Sequence, residues 1–254
     1  MVLALIELFW TLLIKIKGVN NMSTLFQDYL GHNLLGIVAR STIFEDYVLT
    51  KDEVQQIVNT HFEPLPFGYK TRKEILNLYE AWIFVHLFNS SDVSLATFED
   101  LHEIISDGVT NKPQLEGHFR SEDTQVVISG STYQPPSVSR TKAKIEFRSA
   151  LYQLDNYLSS ELFDRQYKVE QLLHFYVYLM RRQFFHDCNK RTATLFVNLL
   201  FNYYDLDCFL WFPTLDELDK FLGRLKLCYE VGDIGVDTDF VDYLSSQFLV
   251  DLSS

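Results

Sequence analysis

The stretch Gln183-Phe184-Phe185-His186-Asp187-Cys188-Asn189-Lys190-Arg191-Thr192-Ala193-Thr194 lies where one helical pattern stops and another begins. Asp187, Asn189, Lys190 and Arg191 crowd together there. A helix N-terminus exposes unpaired N–H groups at the positive end of its dipole, an arrangement suited to phosphate. An Asn amide, a Lys and an Arg beside those groups add donors and positive charge. Asp187 suits a hard metal such as Mg²⁺ that bridges to phosphate oxygens. The local chemistry reads as nucleotide phosphate plus metal.

Outward from this loop the pattern is helical. Helices are expected over 51–59, 73–88, 97–105, 140–158, 167–180, 190–204, 215–229 and 239–249. Thr50 with Glu53, and Thr97 with Asp100, have the spacing of capping boxes. Within 73–88, Ile75, Leu76, Tyr79, Trp82, Ile83 and His86 recur at three-and-four spacing, which marks a buried face. Residues 125–136 break the pattern. Their β-branched residues around Gly130-Ser131, followed by Pro135-Pro136, predict a short hairpin with a proline stop. An isolated hairpin is marginal in water, so this one must lean on the helices or on a ligand. The expected fold class is all-α: one helical domain with a small β flap. Its expected parts are an extension at 1–21, an N-terminal helical region at 22–90, and a domain at 91–254 that carries the loop.

The 254 residues suffice for one large core. The balance of 22 basic against 34 acidic residues, a formal charge of −12, repels a phosphate backbone and argues against nucleic-acid binding. A phosphate site must then be a local basic island, and Arg181, Arg182, Lys190 and Arg191 form one. Three cysteines without paired short spacing fit reduced thiols in a cytoplasmic protein and offer no zinc site. The apolar run from Val2 to Ile14 is too short to span a bilayer. It reads as an extra helix or as translation from upstream of a start at Met22, and no membrane partner is expected.

The loop resembles the signature of the Fic/Doc family, His-x-Phe-x-Asp-Gly-Asn-Gly/Lys-Arg-x-x-Arg. Phe185, Asp187, Asn189, Lys190 and Arg191 match it. Gln183 stands at the position of the family's catalytic His, Cys188 at its first Gly and Thr194 at its final Arg. Gly117-His-Phe-Arg120, Val126-Val127-Ile128, Gly130, Tyr133 and Pro135-Pro136 resemble the region leading into the family's flap, a hairpin that docks a target segment by strand pairing. Asn198 is similarly placed on the following helix. Ser41-Thr-Ile-Phe-Glu45 resembles the inhibitory motif that precedes many such domains. Its Glu45 would pair with a cation that Thr194 does not supply.

The resemblance implies a Fic fold that binds ATP with Mg²⁺ and transfers AMP to a hydroxyl of a target protein. Asp187 would hold the metal and Asn189 phosphate, with Lys190 and Arg191 on the polyphosphate. The amides of 188–191 would cradle the anion, and Val126 to Ser129 would seat the target. A neutral amide at Gln183 can orient a hydroxyl but cannot take its proton, and losing a general base costs about 10²–10⁴-fold. Two other readings stay open: a Doc-like kinase that uses the nucleotide reversed, and a Fic-fold binding module without chemistry. His186 occupies a variable slot and reads as a surface or packing residue. A Cβ at Cys188 is expected either to strain the loop or to need a conformation that Cys tolerates. Phe184 and Phe185 read as core anchors, and His102 as a satisfied structural histidine.

Overall fold

The computed structural model describes residues 24–44, 47–60, 68–90, 92–110, 112–121, 126–128, 131–136, 139–231 and 234–253. Nine α-helices appear among them: α1 (Thr24–Ser41), α2 (Lys51–Asn59), α3 (Tyr69–Leu87), α4 (Leu95–Ser106), α5 (Arg140–Leu158), α6 (Arg165–Arg182), α7 (Asn189–Tyr203), α8 (Leu215–Val231) and α9 (Ile234–Gln247). Two antiparallel pairs accompany them, β1 (Val126–Ile128) with β2 (Ser131–Tyr133), and β3 (Cys208–Leu210) with β4 (Leu249–Asp251). None of the described helices is long and apolar enough to cross a membrane.

Helix α7 is the axis of the fold. Almost every residue from Asn189 to Asn202 is buried, because α1, α3, α4, α6 and β3 surround it. Phe196 on α7 packs against Phe98 of α4 at 4.9 Å and Phe147 of α5 at 6.0 Å. Phe98 and Phe147 stack on each other at 4.7 Å. The helix is covered on all sides, and the polar side chains it buries, such as Asn198, are hydrogen-bonded within the core. Its N-terminal end emerges beside the end of α6, which sets up the loop between them.

Local signals shape the surrounding elements. Thr50 and Glu53 form the capping box of α2, with Glu53 N donating to Thr50 Oγ1 at 3.3 Å and Thr50 N to Glu53 Oε2 at 2.8 Å. α4 begins three residues earlier than the Thr97–Asp100 spacing suggests. Ser94 is its N-cap, and Thr97 completes that box from the third helical position. The hairpin pairs Val126 with Tyr133 and Ile128 with Ser131. The expected helix at 239–249 instead starts at Ile234, stops at Gln247, and gives way to β4. Strand β3 takes the chain there by pairing Leu210 with Leu249. α1, with Gly31 and Gly36 inside it, was not among the expected helices. It forms because Phe26, Leu30, Ile37 and Val38 bury one face against the core.

Candidate active site

The chain leaves α6 through Gln183, whose left-handed backbone (φ 47, ψ 61) turns it sharply inward. Phe184 and Phe185 then enter the aromatic core: Phe184 stacks on Phe119 at 4.8 Å, and Phe185 lies 5.0 Å from Phe98. His186 and Asp187 return to the surface, and Cys188 starts α7 in a second left-handed conformation (φ 57, ψ 9). Cys188 therefore holds, with a side chain, a backbone shape that glycine adopts freely; such a residue costs roughly 1–2 kcal/mol.

Three polar clamps hold this loop. Asn189 closes it from within, its Oδ1 accepting from Phe185 N and its Nδ2 donating to Phe185 O, both at 2.9 Å. His102 of α4 holds it from one side. Gly117 N donates to His102 Nδ1 at 3.0 Å, so Nε2 carries the proton and donates it to Asp187 O at 3.2 Å. Gly117 reaches that position with φ +69. The His102 ring also stacks on Phe185 at 3.7 Å, and burial pushes its pKa down to about 3. Arg120, itself buried, holds the loop from the other side. Its Nε donates to Gln183 O at 2.6 Å, an Nη donates to Pro136 O at 2.8 Å, and its backbone N donates to Phe184 O at 2.8 Å. One guanidinium thus ties the end of α6 to the base of the flap.

At the start of α7 the first intrahelical bond is Thr192 N to Cys188 O, and Cys188 makes no side-chain cap. The amides of 189–191 therefore head a helix N-terminus beside Asp187, which is exposed and accepts from Cys188 N at 2.7 Å. Lys190 extends over Phe44, 5.5 Å from its ring centre. Arg191 is buried and donates to Cys188 Sγ at 3.1 Å. Of the expected basic island, Arg181 pairs with Asp237 at 2.7 Å and Arg182 with Glu146. Those two charges are compensated and serve α6, which leaves Lys190 and Arg191 as the basic residues of the loop. Among the described residues no group of three or more His, Cys, Asp or Glu is placed to hold a metal ion. A divalent ion at Asp187 would thus draw its remaining ligands from phosphate and water, the usual habit of Mg²⁺.

Gln183 is buried, and its carboxamide points at two partners. Nε2 donates to Met180 O at 2.5 Å and to Tyr229 Oη of α8 at 3.1 Å. Tyr229 Oη gives its own proton to Met180 O at 2.8 Å, and burial raises its pKa above the ordinary tyrosine value. The ring of Tyr133, on β2, stacks flat on Tyr229 at 4.2 Å and 10°. The flap is therefore seated beside the loop. The remaining sequence candidates lie deeper. Ser41 is fully buried, donating to Ile37 O at 2.7 Å and accepting from Trp82 Nε1 at 3.0 Å. Thr194 shares a hydrogen bond with Tyr176 at 3.1 Å. Asn198 clamps Leu210 of β3 through both amide atoms at 2.9 Å. Glu45 and Ser129 lie outside the described residues, as do the side chains of Val126, Val127 and Ile128.

The sequence reading missed the roles of Arg120, Tyr133 and Tyr229. Arg120 carried a faint signal as the last residue of Gly117-His-Phe-Arg120, whereas Tyr229 carried none. A cleft of about 610 Å³ lies at the far end of α7 beside Asp92, Tyr152 and Tyr203, and it includes no residue of the loop.

A helical domain whose buried central helix begins at a clamped loop, under a small hairpin, is a recognisable class. Residues 92–201 match the model of the Fic/DOC family, a span that includes both the flap and the loop but not the upstream block at 41–53. The fold is that of solved Fic proteins. A Fic-domain signalling protein from Bacteroides thetaiotaomicron superposes with a TM-score of 0.69 at 15% identity, over 95% of this chain and 91% of its own. Fic-1 from C. elegans gives 0.64 at 16%, over 90% of this chain and 64% of its own. A Fic family protein from Desulfovibrio desulfuricans gives 0.59 at 15%, over 85% and 65%. The chain thus spans less than two thirds of the latter two. No curated protein matches it by sequence. This is a Fic-fold protein, and its resemblance to the Fic/DOC family lies in the segment that holds the loop.

Proposed function

We propose that the chain is a Fic-type nucleotidyltransferase that moves AMP from ATP to a protein hydroxyl, with activity reduced by Gln183. The observation that carries this reading is the juxtaposition at one point of the uncapped start of α7, exposed Asp187, Lys190 and a hairpin seated beside residue 183. Helix amides and Lys190 are suited to polyphosphate, and Asp187 to a magnesium ion that neutralises phosphate charge when bound. In the reaction, a hydroxyl oxygen on the target bonds to the α-phosphorus as the bond to pyrophosphate breaks, and the hydroxyl proton must leave. Gln183 has no basicity, and both its amide hydrogens are committed to Met180 and Tyr229. Before attack its Oε1 can accept a hydrogen bond from the hydroxyl and orient it; as the bond to phosphorus forms, that proton leaves the amide and passes to water. Positioning and charge stabilisation alone sustain part of phosphoryl-transfer catalysis.

The same committed amide favours a second reading, a nucleotide-binding module without turnover. Incubating the purified chain with α-labelled or γ-labelled ATP and a lysate separates the readings. Protein labelled from the α position alone is the expected result. Label from γ alone would mean phosphorylation, and label from neither would mean binding without chemistry. Gln183→His should raise α-label transfer by about 10²-fold if the rest of the site is intact.

A further inference from the structure

The mechanism leaves one buried group without a task, the Tyr229 hydroxyl. Its hydrogen bonds have a fixed sense. Met180 O can only accept, so both Tyr229 Oη and Gln183 Nε2 must donate to it. Tyr229 has one proton, already given to that carbonyl, so towards Gln183 it accepts. Both Gln183 amide hydrogens are consequently committed, and Oε1 makes no hydrogen bond among the described residues. The same tyrosine ring supports the flap, because Tyr133 of β2 lies flat on it at 4.2 Å. Tyr133 Oη also donates at 3.3 Å to the carbonyl of Arg181, the residue next to Met180. A single side chain thus touches the flap on its face and residue 183 at its tip.

We propose that Tyr229 is a positioning residue that couples the flap to position 183: while Tyr133 lies on its ring, its hydroxyl holds the Gln183 carboxamide with Oε1 free to accept a hydrogen bond from a hydroxyl-bearing ligand. An extended segment settling on the flap would shift Tyr133 and, through Tyr229, the acceptor that meets the segment's hydroxyl. This rests on the reading of the 183–191 loop as the site of transfer, but the coupling itself is measurable without turnover.

Hydrogen exchange of the Gln183 side-chain amide, followed by ¹⁵N NMR on the full chain, reads it directly. Tyr133→Leu removes the stack without touching Gln183 and should speed that exchange by about five-fold or more. Tyr133→Phe keeps the ring and should restore protection. Tyr229→Phe keeps the stack but deletes the acceptor, so it should speed Gln183 exchange while leaving the flap amides at 126–128 and 131–133 as protected as in the parent. Backbone amides of Leu199 and Phe201 in α7 report whether a variant is folded. Unchanged Gln183 exchange in folded Tyr133→Leu overturns the proposal, as does unchanged exchange in Tyr229→Phe, which remains informative should the leucine variant not fold. A Mg-ATP thermal shift on the parent chain tests the nucleotide reading separately. Its absence would count against that reading and leave the coupling standing.

Discussion

Replacing Arg120 with Met should be among the most damaging single changes in this domain, and the clamp geometry sets the size. The guanidinium is buried and donates to Gln183 O at 2.6 Å and to Pro136 O at 2.8 Å. Hydrogen bonds from a charged group contribute about 1.5–3 kcal/mol each. The positive charge at the C-terminal end of α6 adds about 0.3–1 kcal/mol through the helix dipole. Two bonds and the dipole sum to roughly 3–7 kcal/mol. Methionine recovers part through apolar contact, and water can reach the half-buried Pro136 carbonyl, so a net loss of about 3–4 kcal/mol is expected. For a chain of this size that lowers Tm by roughly 6–16 °C. Urea melts followed by circular dichroism measure the loss, and proteolysis within 121–136 should quicken because the base of the flap is released. Arg120→Lys keeps the charge without the fork and should fall between the two. A Met variant within about 1 kcal/mol of the parent would refute the clamp and, with it, the claim that one guanidinium joins loop to flap.

Three further outcomes follow from the same geometry. Stability should fall as pH drops, because His102 titrates near 6.5 when unfolded but only at about 3 when folded, so its contribution is complete above about pH 6.5 and is lost between there and 3 at up to ~1.4 kcal/mol per pH unit. His86, pushed down to about 4 by burial, acts in the same direction, and His102→Gln should visibly flatten the slope of ΔG against pH near pH 5. Asn189→Ala removes both bonds to Phe185 and should cost about 2–3 kcal/mol in urea melts, with faster exchange of the Phe185 amide. Ser41→Ala strands the Trp82 indole N–H and should lower stability by about 1–2 kcal/mol while leaving any Mg-ATP thermal shift unchanged; a changed shift would give Ser41 a part in the site rather than in the core.

Much of this molecule is legible without coordinates wherever its cause is local. The capping box at Thr50 and Glu53, the helix at 140–158, the hairpin before Pro135-Pro136 and the loop between α6 and α7 each follow from residues within a turn or two of one another. At Cys188 the sequence left open whether the loop is strained or takes a conformation that Cys tolerates, and the backbone there is left-handed. Other features depend on partners far along the chain. Helix α1 carries two glycines and is stabilised by burial rather than propensity. Strand β4 exists because β3 offers it a ladder, which overrides a helical pattern at 239–249. Arg120 meets Gln183 across 63 positions and Tyr229 meets it across 46, distances over which no periodicity operates. Sequence alone therefore determined where the chain turns and which residues carry charge at the loop. Only packing decided that Arg181 and Arg182 are spent on Asp237 and Glu146, that Ser41 serves Trp82, and that the amide at 183 already has two partners. Hydrogen-bond direction and burial belong to pairs of groups, and a linear chain names the groups without naming the pairs.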